Sequence, residues 1–504
     1  MSYASINTRA QLGLAAPSVS VEVHLSNGLP CFSIVGLPEL AVRESRERVR
    51  AALVNSHFKF PARRISVNLA PAELPKQGGR FDLAIAIGLL IASEQLTTSI
   101  QPDYEFIGEL SLSGELRRSA GILPTAHHCW QQGRILITAR QNLAELTLLP
   151  TSSYLGADSL LQVCAHLSQT RALQSVRVLA SQQQAPEVQQ SMADVIGQST
   201  AKRALTIAAA GHHHVLMVGS PGSGKTMLAN RFKSLLAPMS AAETIETASL
   251  YSITHNHCGK LPSHTRPFRA PHHTVSAVGL AGGGAYPRPG EVSLAHNGVL
   301  FLDELTEFSR AALEILREPI ETGEITISRA AGQISFPARF QLIAAMNPCP
   351  RGCDIDQYGQ CACSAEQLRR YRDKLSAPLL DRIDIQISVP KLAPQLLLDP
   401  PQTDPRDGQQ LVAAIAKARA LQLHRQNKLN ALLSAQELHS VCDLSDAIRT
   451  SSQNLIQQLH LTARGFHQIL KLARTIADLA NCSSIEMNHI HEAVCYRKMS
   501  RLLH

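Results

Sequence analysis

The 504-residue sequence predicts a mixed α/β chain in three sections: an α+β section, then an α/β section with buried strands, then a small all-helical section. Three observations carry this. In the first 175 residues short apolar runs such as "SVSVEVHL", "CFSIVGL" and "RISVNLA" interleave with helical patterns such as "AVRESRERVRAALVNS" and "FDLAIAIGLLIASEQL". Between residues 195 and 390 the runs "VLMV", "VLFL" and "FQLIAAM" are apolar without alternation, as strands covered on both faces must be. Beyond residue 390 the pattern is helical alone, in "LVAAIAKARALQLHRQ", "ALLSAQELHSV", "DAIRTSSQNLIQQL", "ARGFHQILKLARTIADLANC" and "IEMNHIHEAVCYRK".

The glutamine-rich "LASQQQAPEVQQSMAD" reads as a linker, so domains are expected at 1–175, 195–390 and 391–504, with the linker at 176–194. Composition is globular, with 44% hydrophobic and 17% charged residues. No unbroken apolar run reaches the ~18 residues of a membrane span, and "MSYASINTRAQLGL" lacks the basic and apolar regions of an export leader. A cytoplasmic protein without a membrane partner is expected. Seven of the 11 cysteines are scattered singly and read as reduced core residues. A net charge of +8 permits a polyanionic partner such as nucleic acid, and 4% aromatic residues argue against holding it on a stacking platform.

In "VLMVGSPGSGKTMLANRF" a strand leads into Gly219, Ser220, Pro221, Gly222, Ser223, Gly224, Lys225 and Thr226, with Met227 opening the helix that follows. This is the G-x-x-x-x-G-K-[ST] spacing: glycines let backbone N–H groups wrap phosphates, Lys225 neutralises β/γ oxygens, and Thr226 offers a hydroxyl to Mg²⁺. ATP and Mg²⁺ are the expected cofactors. "GVLFLDEL" ends a second strand on Asp303, a Mg²⁺ partner through water, and Glu304, which would polarise the attacking water; the alternative is that the pair caps the next helix. "FQLIAAMNP" ends a third strand on Asn347, placed as a sensor of the γ-phosphate or of that water. Arg382, in "LLDRIDI", is placed to stabilise charge on a neighbouring subunit's nucleotide, or else forms an ordinary pair with Asp381 or Asp384.

"RPFRAPHHTVS", "SLAHNGVLFLDELTEF", "EPIETGEITISRA" and "LLDRIDI" together resemble the magnesium-chelatase-like AAA+ ATPases, and "SVSVEVHLSNGLPCFSIVGLPELAVRESRERVRAAL" resembles the amino-terminal domain of their ComM (YifB) group. The likeness spans nearly the whole chain. It implies an AAA+ P-loop core, a helical lid, and a first domain sharing the Lon-protease fold, which is the ribosomal S5 domain 2-like fold. It implies that Val195, Ile196 and Gly197 line an adenine pocket and that Arg464 is the lid's sensor arginine. Where the Lon pattern has its serine this chain has Arg80, and where the lysine falls it has Leu123, so the first domain is expected not to cleave peptides.

The resemblance further implies a homohexameric DNA translocase or helicase, driving branch migration as incoming single strands are integrated in natural transformation. Its partners would be single-stranded and branched DNA together with recombination and DNA-processing proteins. An insertion and a hairpin would then enter the ring's pore, where Arg266, Arg269, His272, His273 and Arg329 can meet phosphates; the alternative for each is a local packing or hydrogen-bonding role. Two other functions stand beside it. One is the motor of a magnesium chelatase, disfavoured by the amino-terminal domain, and the other an ATP-driven protease or unfoldase, disfavoured by Arg80 and Leu123.

"NPCPRGCDIDQYGQCACS" places Cys349, Cys353, Cys361 and Cys363 in one loop at 349–363. Four thiolates suit a closed, structural tetrahedral Zn²⁺; the alternatives are four reduced thiols or a redox pair. The loop would act as a staple between Asn347 and the segment that delivers Arg382, so metal loss is expected to loosen subunit coupling before it harms ATP binding.

Overall fold

In "SVSVEVHLS" every second residue is apolar, and in the computed structural model of the chain Val19, Val21, Val23 and Leu25 are all buried on one strand. The structure describes residues 2–37, 39, 42, 44–97, 103–173, 191–254, 264–284, 287–329, 332–353, 361–392, 405–458 and 462–497. Most of the expected linker, and residues 354–360 of the cysteine loop, lie outside them. The chain divides into two units, 1–186 with 241–263, and 187–240 with 264–504.

The first unit carries a four-stranded sheet, a three-stranded sheet and a short two-stranded pair among its described residues. Strands β1 (Tyr3–Arg9), β2 (Ser18–Ser26), β3 (Cys31–Val35) and β4 (Arg64–Ala70) lie in the order β1-β2-β4-β3, with only the β3–β4 pair parallel. Helix α1 (Ser45–Asn55) precedes β4, and α2 (Asp82–Ala92) is buried almost all round, which is why its sequence is apolar without a polar face. A Cβ on Gly88 would lie 2.6 Å from Val23 Cγ2, so glycine is what lets α2 approach β2. After β5 (Tyr104–Phe106), the short pair β6 (Glu109–Leu110) and β7 (Leu116–Arg117), and α3 (Ile122–Gln131), the strands β8 (Ile135–Ala139) and β9 (Tyr154–Ala157) complete a parallel sheet, β5-β8-β9. Helix α4 (Leu160–Leu167) closes this run.

One further helix, Ala241–Ile253, belongs to this unit although the sequence leaves it inside the 195–390 section. Its Ala248 packs with Ile122 and Leu123 of α3, and Ser252 Oγ donates to Glu145 Oε2 at 2.7 Å.

In the second unit α5 (Ser199–Gly211), β10 (Val215–Val218) and α6 (Lys225–Phe232) come first. Strands β11 (Phe268–Arg269), β14 (Val299–Leu302), β17 (Gln341–Met346) and β18 (Ile385–Ser388) join β10 in a parallel sheet ordered β11-β14-β17-β10-β18. The two-residue strands β12 (Gly282–Gly283) and β13 (Arg288–Pro289) form a small pair after β11. Helix α7 (Arg317–Thr322) runs into the antiparallel hairpin of β15 (Glu324–Arg329) and β16 (Gly332–Pro337). Helices α8 (Ala365–Arg372) and α9 (Ala377–Leu380) lie between β17 and β18.

Helices α10 (Pro405–Gln426), α11 (Ala435–Val441), α12 (Asp446–Gln458), α13 (Ala463–Leu479) and α14 (Met487–Cys495) make up the carboxyl-terminal part. Val215 and Met217 of β10, Ala208 of α5, and Leu472, Ala473 and Ile476 of α13 share one apolar core. A buried polar joint crosses it: His213 Nδ1 lies 3.1 Å from Asp384 Oδ2, and His213 Nε2 lies 2.8 Å from Thr475 Oγ1 on α13. Burial opposes the Asp384 charge, yet the hydrogen bond and field of His213 outweigh it and hold the carboxyl at about 2. Among the described residues no helix is long and apolar enough to cross a membrane.

Candidate functional site

Because β10, β14 and β17 are parallel, the loops that follow them leave one edge of the sheet, and they begin with Gly219, Asp303 and Asn347. Gly222 (φ +78°) and Gly224 (φ +91°) take the left-handed conformation that turns successive amides inward. At Gly219 a Cβ would lie 2.3 Å from Val389 O. Lys225 Nζ donates to Gly219 O (2.6 Å), Ser220 O (3.0 Å) and Asn347 Oδ1 (3.3 Å), and Thr226 Oγ1 donates to Asp303 Oδ2 (2.6 Å). Burial draws the Lys225 ammonium below its ordinary value, against the opposing pull of Asp303 and Glu304. The Ser223 hydroxyl is buried with no hydrogen-bond partner among the described residues, and Met227 is exposed on the first turn of α6. Inward amides, an ammonium, an unpartnered hydroxyl and a hydroxyl–carboxylate pair form a donor set that fits a nucleoside triphosphate with Mg²⁺.

Glu304 has φ +52°, and its Oε2 lies 3.3 Å from His273 Nδ1. Glu304 stands at the N-cap position of a short 3₁₀ turn, Leu305–Glu307, without a side-chain cap bond, and the α-helix Arg310–Ile315 is capped by Ser309, which accepts from Ala312 N at 3.2 Å. Asn347 is held from two sides, since its carbonyl also accepts from Tyr371 OH of α8 at 3.1 Å. Val195 is buried, Ile196 half-buried, and Gly197 exposed with φ +61°. The adjoining Gln198 donates to Pro390 O (2.6 Å) and Ser223 O (3.4 Å), which brings the 195–197 turn beside the phosphate loop.

Arg382 is elsewhere. It precedes β18, so it lies at the amino edge of the sheet, whereas Gly219, Asp303 and Asn347 lie at the carboxyl edge. Four strand residues separate the edges by roughly 13 Å, beyond the reach of one arginine side chain. Its carboxylate partner is Glu321, with Nη2 2.7 Å from Oε1, and Arg464 Nη2 lies 2.7 Å from that same oxygen. Nothing in the sequence pointed to Glu321, which is 143 residues from Arg464.

The four loop cysteines converge, with all Sγ atoms within 4.8 Å of one another. Zn–S bonds of about 2.3 Å put tetrahedral sulfurs roughly 3.8 Å apart, so a small contraction completes the shell. Cys349 is fully buried and its Sγ accepts from Cys353 N at 3.1 Å. Gly352 (φ +64°) packs against the phosphate loop: a Cβ there would lie 2.6 Å from Pro221 Cγ. The cysteine loop thus touches Pro221 as well as leading into the segment towards Arg382.

Residues 191–397 match the family described as magnesium chelatase, subunit ChlI; residues 21–142 match the subunit ChlI of Mg-chelatase family and residues 406–497 its carboxyl-terminal family. Over 506 residues, 100% of this chain and 99% of the relative, the sequence is 47% identical to the competence protein ComM of Haemophilus influenzae. It is 46% identical over 503 residues, 100% and 98% of the two chains, to the YifB protein of Salmonella typhimurium. A Mycobacterium tuberculosis relative is 38% identical over 491 residues, 96% of this chain and 97% of its own. The chain belongs to the ComM/YifB family.

In this ComM/YifB chain the five residues read as DNA contacts have the following surroundings. Arg266 donates to Ala237 O and Asn297 O, both at 2.7 Å, and Arg269 pairs with both oxygens of Glu291 at 2.7 Å, so each guanidinium is engaged within the chain. His272 Nδ1 lies 2.9 Å from Thr274 Oγ1, and its ring is 4.1 Å from that of His273. Arg329 ends β15 and pairs with Gly332 at the tip of the hairpin. In the first unit Arg80 is buried and donates to Thr125 Oγ1 (3.0 Å) and Gln11 Oε1 (3.1 Å). Arg80 thus places a guanidinium against α3, on which Leu123 is a fully buried apolar side chain.

Proposed function

We infer that the chain is an AAA+ ATPase that assembles into a homohexamer and drives branch migration, as a DNA translocase or helicase, while transforming DNA is integrated by recombination. The observation that carries this reading is the end-to-end likeness to a competence protein in a chain whose phosphate-binding and magnesium-binding groups meet at one sheet edge.

In this reading Lys225, Ser223 and the loop amides hold ATP, Thr226 and Asp303 hold Mg²⁺, Glu304 acts on the attacking water, and Asn347 senses the γ-phosphate. Bound Mg²⁺ neutralises charge on the β and γ oxygens. Arg382, at the opposite edge from its own site, serves the neighbouring subunit's nucleotide, and Arg464, the lid's sensor arginine, joins it there through Glu321. The helices beyond residue 390 act as the lid. The first unit is a Lon-like, non-proteolytic module for assembly or DNA contact, because Arg80 and Leu123 supply neither nucleophile nor base. The cysteine loop holds a structural Zn²⁺. The hairpin tip with Arg329, and His272 with His273, remain the DNA-facing candidates, in a cytoplasmic protein that works with recombination proteins.

The test is ATP hydrolysis with and without forked or four-way DNA. Stimulation by branched DNA, with six-membered rings on DNA in a non-hydrolysed ATP analogue, is expected. Hydrolysis indifferent to DNA would refute it. The match to chelatase subunits favours a second reading, a magnesium chelatase motor, which predicts stimulation by a porphyrin-binding partner instead.

A further inference from the structure

Glu321 is a single carboxylate with two guanidiniums on one oxygen, and its place in the chain gives that arrangement a use. Arg382 is nearly buried, at 10% exposure, and its Nη1 donates to Pro378 O at 2.6 Å, so its position varies little. Arg464 is 45% exposed, as is Glu321, and it sits one helical turn before Gln468, whose side chain donates to Asp381 O. Lid helix α13 and the Asp381–Arg382 turn are therefore joined at the point where both arginines meet Glu321. Arg382 and then Arg464 draw the Glu321 carboxyl below its ordinary value. One anion facing two cations leaves a net positive charge, and the exposed Arg464–Glu321 pair in particular is weak enough to exchange for a multiply charged phosphate. Glu321 occupies the last turn of α7, and the next residues lead directly into β15, where Gly323 O accepts from Ala338 N at 2.7 Å to close the hairpin's base.

We propose that Glu321 is a positioning residue that holds Arg382 and Arg464 together until a neighbouring subunit's nucleotide takes them, so that α7 and the β15–β16 hairpin register the occupancy of the next site. This rests on the reading of both arginines as acting between subunits. Glu321 competes with the phosphates for the arginines, so removing its charge while keeping its shape makes the arginines easier to recruit. It also cuts the link to the hairpin.

The test uses the full-length chain with Glu304→Gln, which binds ATP without turning it over, and follows ring formation by mass photometry as ATP is raised. Adding Glu321→Gln is expected to lower the half-maximal ATP concentration about three- to tenfold, a change in affinity that a merely structural role would not produce. Glu321→Asp, which keeps the charge, should return it towards the parent value, and Glu318→Gln on the same helix should leave it unchanged. In the hydrolysing chain Glu321→Gln should also reduce the ratio of DNA-stimulated to basal turnover. An unchanged or raised half-point with Glu321→Gln overturns the proposal. Arg382→Ala separates the two failures: if it abolishes turnover while Glu321→Gln has no effect, only the Glu321 role falls. If Arg382→Ala turns over normally, the intersubunit reading falls with it.

Discussion

Replacing Gly352 by alanine tests whether the cysteine loop shapes the nucleotide site. Gly352 has φ +64°, a conformation that costs a non-glycine residue about 1–2 kcal/mol. The new Cβ would stand 2.6 Å from Pro221 Cγ and 2.7 Å from Cδ, where ordinary contact begins near 3.4 Å, so Pro221 or the loop must retreat by about 0.8 Å. Pro221 lies between two glycines of the phosphate loop, whose amides must meet phosphate oxygens within a few tenths of an ångström. A displacement of that size is expected to weaken ATP binding about tenfold, which corresponds to about 1.4 kcal/mol. The assay is titration with a fluorescent ATP analogue, run beside thermal unfolding and metal analysis. Gly133→Ala is the control: its φ of +70° carries the same backbone cost, but its Cβ meets nothing within 4 Å, so it should lower stability and leave ATP binding alone. If Gly352→Ala bound ATP as tightly as the parent with its metal content intact, the loop would not be a support of the phosphate site.

Chelation of a bound metal should act in the same direction as Gly352→Ala, lowering ATP affinity as well as subunit coupling; loss of coupling alone would return the loop to a staple for Arg382 only. Lys225→Ala should lose nucleotide binding, whereas Glu304→Gln should bind ATP, hold rings and lose turnover by about 10²-fold or more, read by steady-state hydrolysis. His273→Ala should change the ratio of DNA-stimulated to basal turnover about threefold while DNA affinity moves less than about twofold, because its Nδ1 lies 3.3 Å from Glu304 Oε2 and its ring lies 4.1 Å from that of His272. The Asp384 carboxyl is held at about 2, below its ordinary 3.8, so the stability it contributes is present above pH 4 and disappears as pH falls through 2. On the order of 2 kcal/mol should vanish across that window in chemical unfolding, and Asp384→Asn should lack this slope.

The convergence of the candidate phosphate-site residues was legible because they follow strands. An apolar run ending in Gly-rich sequence, in Asp303-Glu304 or in Asn347 places all three at one edge once the strands are parallel, and the sequence carries that polarity. What the spacing does not carry is anything a loop does to a distant loop. Tyr371 donating to the Asn347 carbonyl, Gly352 packing on Pro221 and Gln198 reaching Pro390 are contacts between segments with no periodic signature. The helix Ala241–Ile253 is a related case: nothing in the spacing of its buried Thr244, Thr247 and Ala248 says which core receives them.

The arginines show how far topology alone can take a functional argument. Arg382 was read from its position before a strand, and the parallel order of β10 and β18 turns that position into a constraint: it faces away from its own Lys225 across the height of the sheet. Arg464 reaches the same place from helix α13 by sharing Glu321. Under the proposed reading, a subunit with its phosphate-binding groups at one edge and its arginines at the other would complete a catalytic set against another copy, in a head-to-tail contact. Repeated contacts of that kind generate rings when the rotation closes. Turnover should therefore rise with protein concentration as assembly proceeds, and mixing Lys225→Ala with Arg382→Ala subunits should recover activity that neither has alone, since an interface between an intact phosphate site and an intact arginine pair then exists. Absence of that recovery in mixed assemblies would show that each subunit hydrolyses ATP on its own.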